Sequence, residues 1–491
     1  MLEDLIHERR SKLERYAAVE SPFPSRTHFA GKRTVISEVL KNFTSLARGG
    51  KPVAVAGRIS GLRDQGKILF IDLRDASGSI QLVLNEKELG KNFALPKETV
   101  DIGDFIEARG AAFATKRGEK SILATGVHML AKSIRPIPSE RYGLEDAETR
   151  LRKRYLDLLS NDGVREIFVK KNAFWNAVRA FLTKENFLEV ETPVLEPTPG
   201  GAEAEPFVTH HNALDTDFYL RISLELPLKK LLVGGFEKVF EIGRIFRNEG
   251  IDREHLQDYT QMECYWAYAD YNDMMKFVEE LYKKVITATL GAKKTTFGGK
   301  TIDWGKKWKT IDYYEVFKKA SGFDIATASR DELFRKAKSL DIKIEPQAGL
   351  PAQAGKGRLI DAIYKKLVRP NLIEPCFLVN PPVEVEPLAK RVESDPARVE
   401  RFQVVACGTE LGKGFSELND PIDQRKRFEE QMKLRAAGDK EAQRLDEDFL
   451  EALEYGMPPA AGFGMSERLF AVLLDKPVRE TVLFPLMKKE K

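Results

Sequence analysis

Residues Phe246-Arg247-Asn248-Glu249-Gly250, then His255, then Tyr259-Thr260-Gln261-Met262-Glu263-Cys264-Tyr265 read as one antiparallel hairpin with its polar chemistry gathered on a single face. Side chains of a strand alternate between its two faces. Glu241, Gly243 and Arg247 therefore share one side of the outgoing strand, opposite Phe240, Ile242 and Phe246. On the return strand Tyr259, Gln261, Glu263 and Tyr265 oppose Thr260, Met262, Cys264 and Trp266. An arginine, two carboxylates and two aromatics aligned in this way suit a phosphate, a flat base and a cation held together. A half-exposed hairpin with ordinary surface charges is the alternative.

Working outward, a second glycine-bearing strand, Ala461-Gly462-Phe463-Gly464-Met465-Ser466-Glu467-Arg468, leads into a helix carrying Leu469, Phe470, Leu473 and Leu474. Glycines let the backbone approach a ligand closely, and a helix N-terminus favours anions. Upstream, a helix predicted from Phe168 to Glu185 buries Phe174, Val178, Phe181 and Leu182, and a strand is predicted over Phe187 to Leu195. Helical segments around Tyr313 to Lys319 and Arg330 to Leu340, then a Pro/Gly/Ala-rich stretch from Pro346 to Gly357, read as an insertion over about 284–370 without a catalytic constellation.

The chain's 491 residues exceed one ordinary core, so two or three domains are expected. A composition with 42% hydrophobic and 31% charged residues is that of a folded globular protein. No apolar run is long enough for a membrane span, and Met1-Leu2-Glu3-Asp4-Leu5 lacks a basic-then-apolar signal pattern; a cytoplasmic protein with no membrane partner is expected. Cys264, Cys376 and Cys407 lie too far apart for a zinc knuckle or a disulfide framework and read as small buried hydrophobes. His210-His211 has no acidic or cysteine partner at useful spacing for zinc. With 79 basic and 75 acidic residues, net +4, any nucleic-acid contact must be a local patch.

Residues 1–50 form an N-terminal helical extension; its Arg9, Arg10, Lys12 and Arg15 belong either to a solvated helix or to an RNA-touching arm. From 51 to 137, five short alternating runs predict a β-barrel such as the OB-fold. Leu69, Ile71, Leu73, Ile80, Leu82 and Leu84 point into its core, leaving Phe70 and Gln81 outside. An exposed aromatic beside an amide suits base stacking with edge hydrogen bonds, and Arg63, placed in the loop before Phe70, adds a phosphate or base contact. Residues 138–165 are a charged linker, and 166–491 hold the hairpin and its companions.

The hairpin resembles motif 2 of class II aminoacyl-tRNA synthetases, the helix and strand at about 170–195 resemble motif 1, and the glycine-rich strand and helix at about 460–475 resemble motif 3. Motif 2 spans about 239–266. Thr198-Pro199-Gly200-Gly201-Ala202, His210 to Asp215, Tyr219 to Leu226 and Glu410-Leu411-Gly412-Lys413-Gly414-Phe415-Ser416-Glu417-Leu418-Asn419-Asp420 resemble the class II lysyl-tRNA synthetases of bacteria, a likeness running from about residue 5 to 488. It implies an α+β chain: an OB-fold anticodon-binding barrel contacting tRNA through Arg63, Phe70 and Gln81, plus a catalytic domain on an antiparallel sheet flanked by helices. It implies a homodimer that activates L-lysine with ATP and Mg²⁺ and charges tRNA(Lys). A lysine ligase acting on a protein acceptor and a non-catalytic RNA-binding paralogue are the alternatives.

The chemistry asks for alignment and positive charge rather than a general base, because the attacking α-carboxylate is already ionised. The resemblance implies Arg247 bridging carboxylate and α-phosphate, Arg468 as second clamp, Tyr259 on adenine, Glu249 at its amino group and His255 at the distal phosphates. Gly201 and Glu225 take the α-amino group, Glu263, Tyr265 and Glu417 the ε-ammonium, and Phe415 lies along the methylene stem. A buried ammonium needs such carboxylates, since its desolvation costs several kcal/mol, roughly, when unpaired. Lys413 stands where the family has Asn near the substrate carboxylate, and Gln403 where it has a Glu that holds magnesium with the residue matched by Glu410. Glu410 and Glu417 are seven apart and would face opposite sides without a bulge at Gly412 or Gly414.

Overall fold

The alternating runs of residues 53–131 close on themselves. In the computed structural model, which describes residues 2–29, 31, 33–138, 146–250, 252–342, 355–438 and 441–489, the chain divides into two units, Met1–Glu145 and Asp146–Lys491. The first begins with α1 (Leu2–Ala17), followed by β1 (Val53–Asp64), β2 (Ile68–Asp75), β3 (Gly78–Asn85), β4 (Phe105–Ala114) and β5 (Lys120–Ala131). Among the described residues these strands form a closed barrel in the order β1-β2-β3-β5-β4, the topology expected of an OB-fold. Its core takes Leu69, Ile71, Leu73, Ile80, Leu82 and Leu84, all nearly or fully buried, as alternation requires. Arg9 donates to the Ser133 carbonyl at 2.9 Å and Lys12 to Asp101 at 2.7 Å, tying α1 to its own unit, while Arg10 and Arg15 are exposed.

The second unit opens with helices Ala147–Arg152 and Arg154–Ser160; residues 139–145 of the expected linker lie outside the described residues. Next come α2 (Asp162–Lys184), β6 (Leu188–Glu189), α3 (Glu225–Val233), β7 (Lys238–Phe246), β8 (Asp258–Ala267), α4 (Tyr271–Leu290) and β9 (Lys309–Asp312). Then follow β10 (Cys376–Val379), β11 (Arg401–Ala406), β12 (Thr409–Ser416), β13 (Ala460–Ser466) and α5 (Arg468–Leu473). The described residues build an eight-stranded sheet in the order β9-β10-β11-β12-β13-β8-β7-β6. It is antiparallel except for the β6–β7 and β9–β10 pairs. The strand predicted over Phe187 to Leu195 is broken: β6 is two residues long, and Leu195–Glu196 pairs elsewhere, with Pro193 between them where a ladder N–H is missing. β9, inside the stretch 284–370, is an edge strand of the sheet, and 343–354, most of the Pro/Gly/Ala-rich stretch, lie outside the described residues.

One sheet face packs on α2 and α4. Phe174, Val178 and Leu182 from α2, Val278, Leu281 and Tyr282 from α4, and Phe240, Met262, Cys264, Phe463 and Met465 from the strands share one buried cluster. Each such side chain withdrawn from water contributes about 1.5–3 kcal/mol. The three cysteines are buried and free, as expected. The same alternation leaves the polar positions of β8, β12 and β13 on the opposite face.

Candidate active site

The hairpin register pairs Glu241 with Glu263, Gly243 with Gln261 and Ile245 with Tyr259. Met262 and Cys264 enter the core, while Tyr259, Gln261, Glu263 and Tyr265 line a cavity of about 780 Å³. Glu241 does not reach it: buried, it accepts from Arg221 at 2.7 Å and from Thr192 Oγ1 at 2.7 Å. Gly243 makes that pairing possible, because a Cβ there would sit 2.3 Å from an Arg221 nitrogen.

Arg247 and Arg468, more than two hundred residues apart in sequence by their numbers, both line this cavity. Arg247 Nε donates to the Ile222 carbonyl at 3.2 Å, and its guanidinium carbon lies 5.7 Å from the centre of the Tyr259 ring. Burial works against the Arg247 charge, but Tyr259, Glu249 and Glu263 around it outweigh that and raise its pKa. Arg468 is held by the carbonyls of Glu254 and Glu410, each at 3.3 Å. Glu249, His255 and Glu417 are not among the cavity-lining residues: Glu417 is buried, and the His255 ring is engaged with Asp252 at 2.7 Å.

A buried ion cluster stands where the sequence placed an ammonium. Its centre is a residue that sequence reading missed, Lys229, whose side chain is fully buried. Its Nζ bonds Glu225 Oε1 at 2.6 Å, pairs with Glu417 Oε2, and lies 5.3 Å from the centre of the Phe415 ring. The signal was present in the helix period, since Glu225 and Lys229 are four apart on α3. Glu263 Oε1 accepts from Ser223 Oγ at 2.8 Å, the Leu224 amide at 3.0 Å and Gln261 at 2.5 Å, and Oε2 from the Tyr265 hydroxyl at 2.9 Å. Glu417 Oε1, by contrast, is buried with no hydrogen-bond donor among the described residues. Glu225 and Glu417 thus share one fully buried ammonium. Burial pushes the Glu225 carboxyl up from 4.5 to about 7, with Lys229 pulling it down and Glu263 pushing it further up. Burial likewise raises Glu417 well above its ordinary value despite Lys229.

Two glycines shape this region. Gly201 has φ +79°, and a Cβ on it would lie 2.9 Å from that of Glu225. On β13 a Cβ at Gly462 would collide with Glu417 Oε1 at 2.3 Å and Tyr265 at 2.5 Å. The bulge demanded by Glu410 and Glu417 exists: Val405 pairs with Glu410 and Val404 with Gly412, so Leu411 is the extra residue, one position before the nearer glycine expected.

Lys413 also lines the cavity, and its Nζ bonds the buried Glu386 at 2.9 Å, with Arg401 on the same carboxylate at 3.3 Å. Burial opposes the Lys413 charge, and Glu386 reverses this to raise its pKa. Gln403 Nε2 donates to Glu410 Oε2 at 2.6 Å. One carboxylate beside an amide suits at most a single magnesium ion that keeps phosphate oxygens and waters as its other ligands. Arg358, Asp361 and Lys365, from the stretch read as lacking any constellation, line the same cavity. No local motif signals them; they arrive by tertiary packing.

In the barrel unit, Arg63, Phe70 and Gln81 share the outer face of β1–β3. Arg63 is on β1 rather than in a loop, directly opposite Phe70, and grips Asp72 with two bonds of 2.9 and 3.1 Å. Gln81 Oε1 accepts from Ser121 at 3.0 Å, which leaves its amide hydrogens unused by that bond. His210 and His211 are exposed and join no three-ligand cluster among the described residues.

Residues 53–130 match the family described as OB-fold nucleic acid binding domain, and residues 146–488 the family described as tRNA synthetases class II (D, K and N). The chain is 44% identical to the lysine–tRNA ligase of Roseiflexus castenholzii, covering 99% of both chains. It is 46% identical to that of Moorella thermoacetica over 89% of both. With Carboxydothermus hydrogenoformans the identity is 45% over 94% of this chain and 93% of the relative. Motif arginines that converge on one cavity, a barrel and a sheet in the expected topology, and matches spanning the chain agree on one conclusion: the chain belongs to the class II tRNA synthetases of the D, K and N group.

Proposed function

We propose that the chain activates L-lysine with ATP and transfers it to tRNA(Lys). The observation that carries this reading is one cavity lined by both motif arginines and by Glu225, Glu263 and Tyr265, with Glu225 joined through Lys229 to the buried Glu417. The α-carboxylate of lysine attacks the α-phosphorus of ATP; the P–O bond to pyrophosphate breaks, and lysyl-adenylate forms without a proton transfer. The terminal ribose hydroxyl of the tRNA then attacks the lysyl carbonyl, and AMP leaves. Arg247 bridges carboxylate and α-phosphate, a task for which its planar fork suits better than a lysine. Arg468 clamps the phosphates from the other side. Tyr259 stacks on adenine, and Glu249 and His255 are assigned to the adenine amino group and distal phosphates once the loop bearing them meets ATP.

Glu417, Glu263 and Tyr265 receive the ε-ammonium, Phe415 flanks the methylenes, and Gly201 and Glu225 take the α-amino group. Lys413, paired with the Glu386 that Arg401 shares, supports the substrate carboxylate. Magnesium arriving with ATP supplies further positive charge at the phosphates, and Glu410, with Gln403, would hold it. A homodimer in the cytoplasm completes the reading. The dimer is supported by exposed Val169, Leu188, Val194 and Leu195 near the motif 1 segment. Neither a protein-lysylating enzyme nor a non-catalytic paralogue is favoured, given the barrel and both motif arginines.

The test is pyrophosphate exchange with every proteinogenic amino acid, followed by tRNA charging. Exchange is expected with lysine alone among them. In the same assays Phe70→Ala lowers tRNA charging about five- to a hundredfold, the loss of one stacked base, and leaves exchange within about twofold. Exchange driven by another amino acid overturns the substrate, and equal losses in both assays overturn the division of labour.

The carboxyl shifts set a pH dependence. Glu225 carries a proton below about 7 in the ligand-free protein, and an incoming ammonium must displace it. Lysine affinity therefore falls up to about tenfold per pH unit below 7 and is flat above about 8. Because the folded pKa is raised, ligand-free stability from this group is present at low pH and declines as pH rises through 7; bound lysine reverses that trend. Calorimetry in buffers of different ionisation enthalpy should detect proton release near pH 7, and pH-independent affinity between 5.5 and 8.5 contradicts the assignment.

A further inference from the structure

In the barrel unit, remote in sequence from every motif, Glu20, His28 and His128 bring one ligand atom each to within 4.8 Å of one another. Glu20 Oε1 lies 2.7 Å from His128 Nδ1 and 3.3 Å from His28 Nε2. The imidazoles stack with centroids 4.4 Å apart and planes 18° from parallel. The other ring nitrogen of His28 is committed: Nδ1 meets Glu107 Oε1 at 2.9 Å, and Glu107 also accepts the His28 backbone amide. Glu107 is only 2% exposed, so that bond is shielded from solvent. Glu20 is fixed too, because its Oε2 accepts from the Tyr16 hydroxyl at 2.7 Å, and that hydroxyl accepts from the Met129 amide at 2.8 Å. Phe29, next in sequence, lies edge-on to His128 at 5.0 Å and against Gly126.

Charge balance makes this arrangement informative. With Nδ1–H pointing at Glu107, a neutral His28 turns the lone pair of Nε2 toward the Glu20 carboxylate, which is repulsive. Two carboxylates facing two neutral imidazoles want two positive charges. Two protons would supply them, at the cost of stacking two imidazolium rings face to face. One divalent cation supplies them with both rings neutral.

We infer that Glu20, His28 and His128 bind a divalent transition metal ion, Zn²⁺ in preference to Mg²⁺, and that Glu107 orients His28 toward it. Two imidazole nitrogens and one carboxylate form a ligand set for zinc, and a buried carboxylate on the far nitrogen of a ligating histidine is its usual companion. Ligand atoms around tetrahedral zinc lie roughly 3.3 Å apart, given bonds of about 2.0–2.1 Å; because an imidazole binds in its own plane and these planes lie 18° from parallel, one ring must turn out of the stack for both to meet the ion. The ion would pin the segment after α1, from Glu20 to His28, onto β4 and β5 through Glu107 and His128.

The test uses the full-length chain, stripped with chelator and titrated with Co²⁺ and then Zn²⁺ in excess Mg²⁺. Wild type should take up one more Co²⁺ per chain than the His28→Gln, His128→Gln double variant, with visible d–d absorption that Zn²⁺ abolishes. Zn²⁺ should raise the Tm of wild type and not of the double variant, while lysine-dependent exchange is the same in both. Glu107→Gln should bind about 10–100-fold more weakly. If the double variant misfolds, the single His128→Gln variant, which keeps His28 on Glu107, carries the comparison. Equal Co²⁺ uptake and spectra in wild type and variants, or no uptake by wild type in excess Mg²⁺, overturns the inference in favour of a protonated histidine pair.

Discussion

Arg247→Ala should lower lysine-dependent pyrophosphate exchange about a thousandfold while leaving the protein folded. The expected size follows from what the side chain does. Removing one donor aimed at charge that develops in a transition state costs about 10²–10³ in kcat in a site shielded from water, and Arg247 contacts both reacting partners in the proposed mechanism. The loss should fall on kcat, because the carboxylate–phosphate bridge exists only as the two groups meet. Structural damage should be small. The side chain contributes one bond to the Ile222 carbonyl, while the backbone amide of residue 247 keeps its bond to Gln257. Arg247→Lys restores charge without the fork and should recover only part of the activity. Exchange within tenfold of wild type in a folded Arg247→Ala variant would remove the mechanism. Arg468→Ala is the less clean experiment, since Arg468 also ties the Glu254 and Glu410 carbonyls together.

What the sequence made legible has a common physical origin. A strand buried on one face and polar on the other must alternate, so Met262 and Cys264 could be separated from Gln261 and Glu263 without coordinates, as could Leu69 and Ile71 from Phe70. What resisted was whatever depends on a partner distant in sequence or on a break in a regular element. Arg63 looked available as a loop arginine, yet Asp72 holds it on β1. Lys413 was legible only as a departure from the family's Asn; its partner Glu386, shared with Arg401, lies outside the motifs. The need for a bulge was legible in the spacing of Glu410 and Glu417, but not that Leu411 would be its extra residue. Arg358 and Asp361 reach the cavity from a stretch with no motif at all. Lys229 is the instructive case: it stands one helical turn from Glu225, and a lysine on a helix is ordinarily solvated, so spacing alone does not mark it as buried.

That buried lysine changes how selection of a lysine should be understood and leads to the second large effect. Glu417→Gln should raise the KM for lysine by two to three orders of magnitude, with the KM for ATP nearly unchanged. Without Lys229, Glu225, Glu263 and Glu417 would be three buried carboxylates, and some would neutralise by protonation. The internal ammonium keeps Glu225 and Glu417 together, and still leaves Glu417 Oε1 without a donor among the described residues. The cluster is therefore compensated enough to fold and deficient enough to want one more cation. A glutamine at 417 preserves shape and leaves Lys229 its bond to Glu225, so folding should survive. It removes the negative charge from the substrate ammonium, and breaking one side of a buried ion pair costs about 3–5 kcal/mol. Since that ammonium lies at the opposite end of the lysine side chain from the reacting carboxylate, the same energy is lost in ground and transition states, and kcat should change little. A KM within tenfold of wild type would mean that the substrate ammonium is held elsewhere. A loss confined to kcat would place Glu417 at the reacting atoms instead.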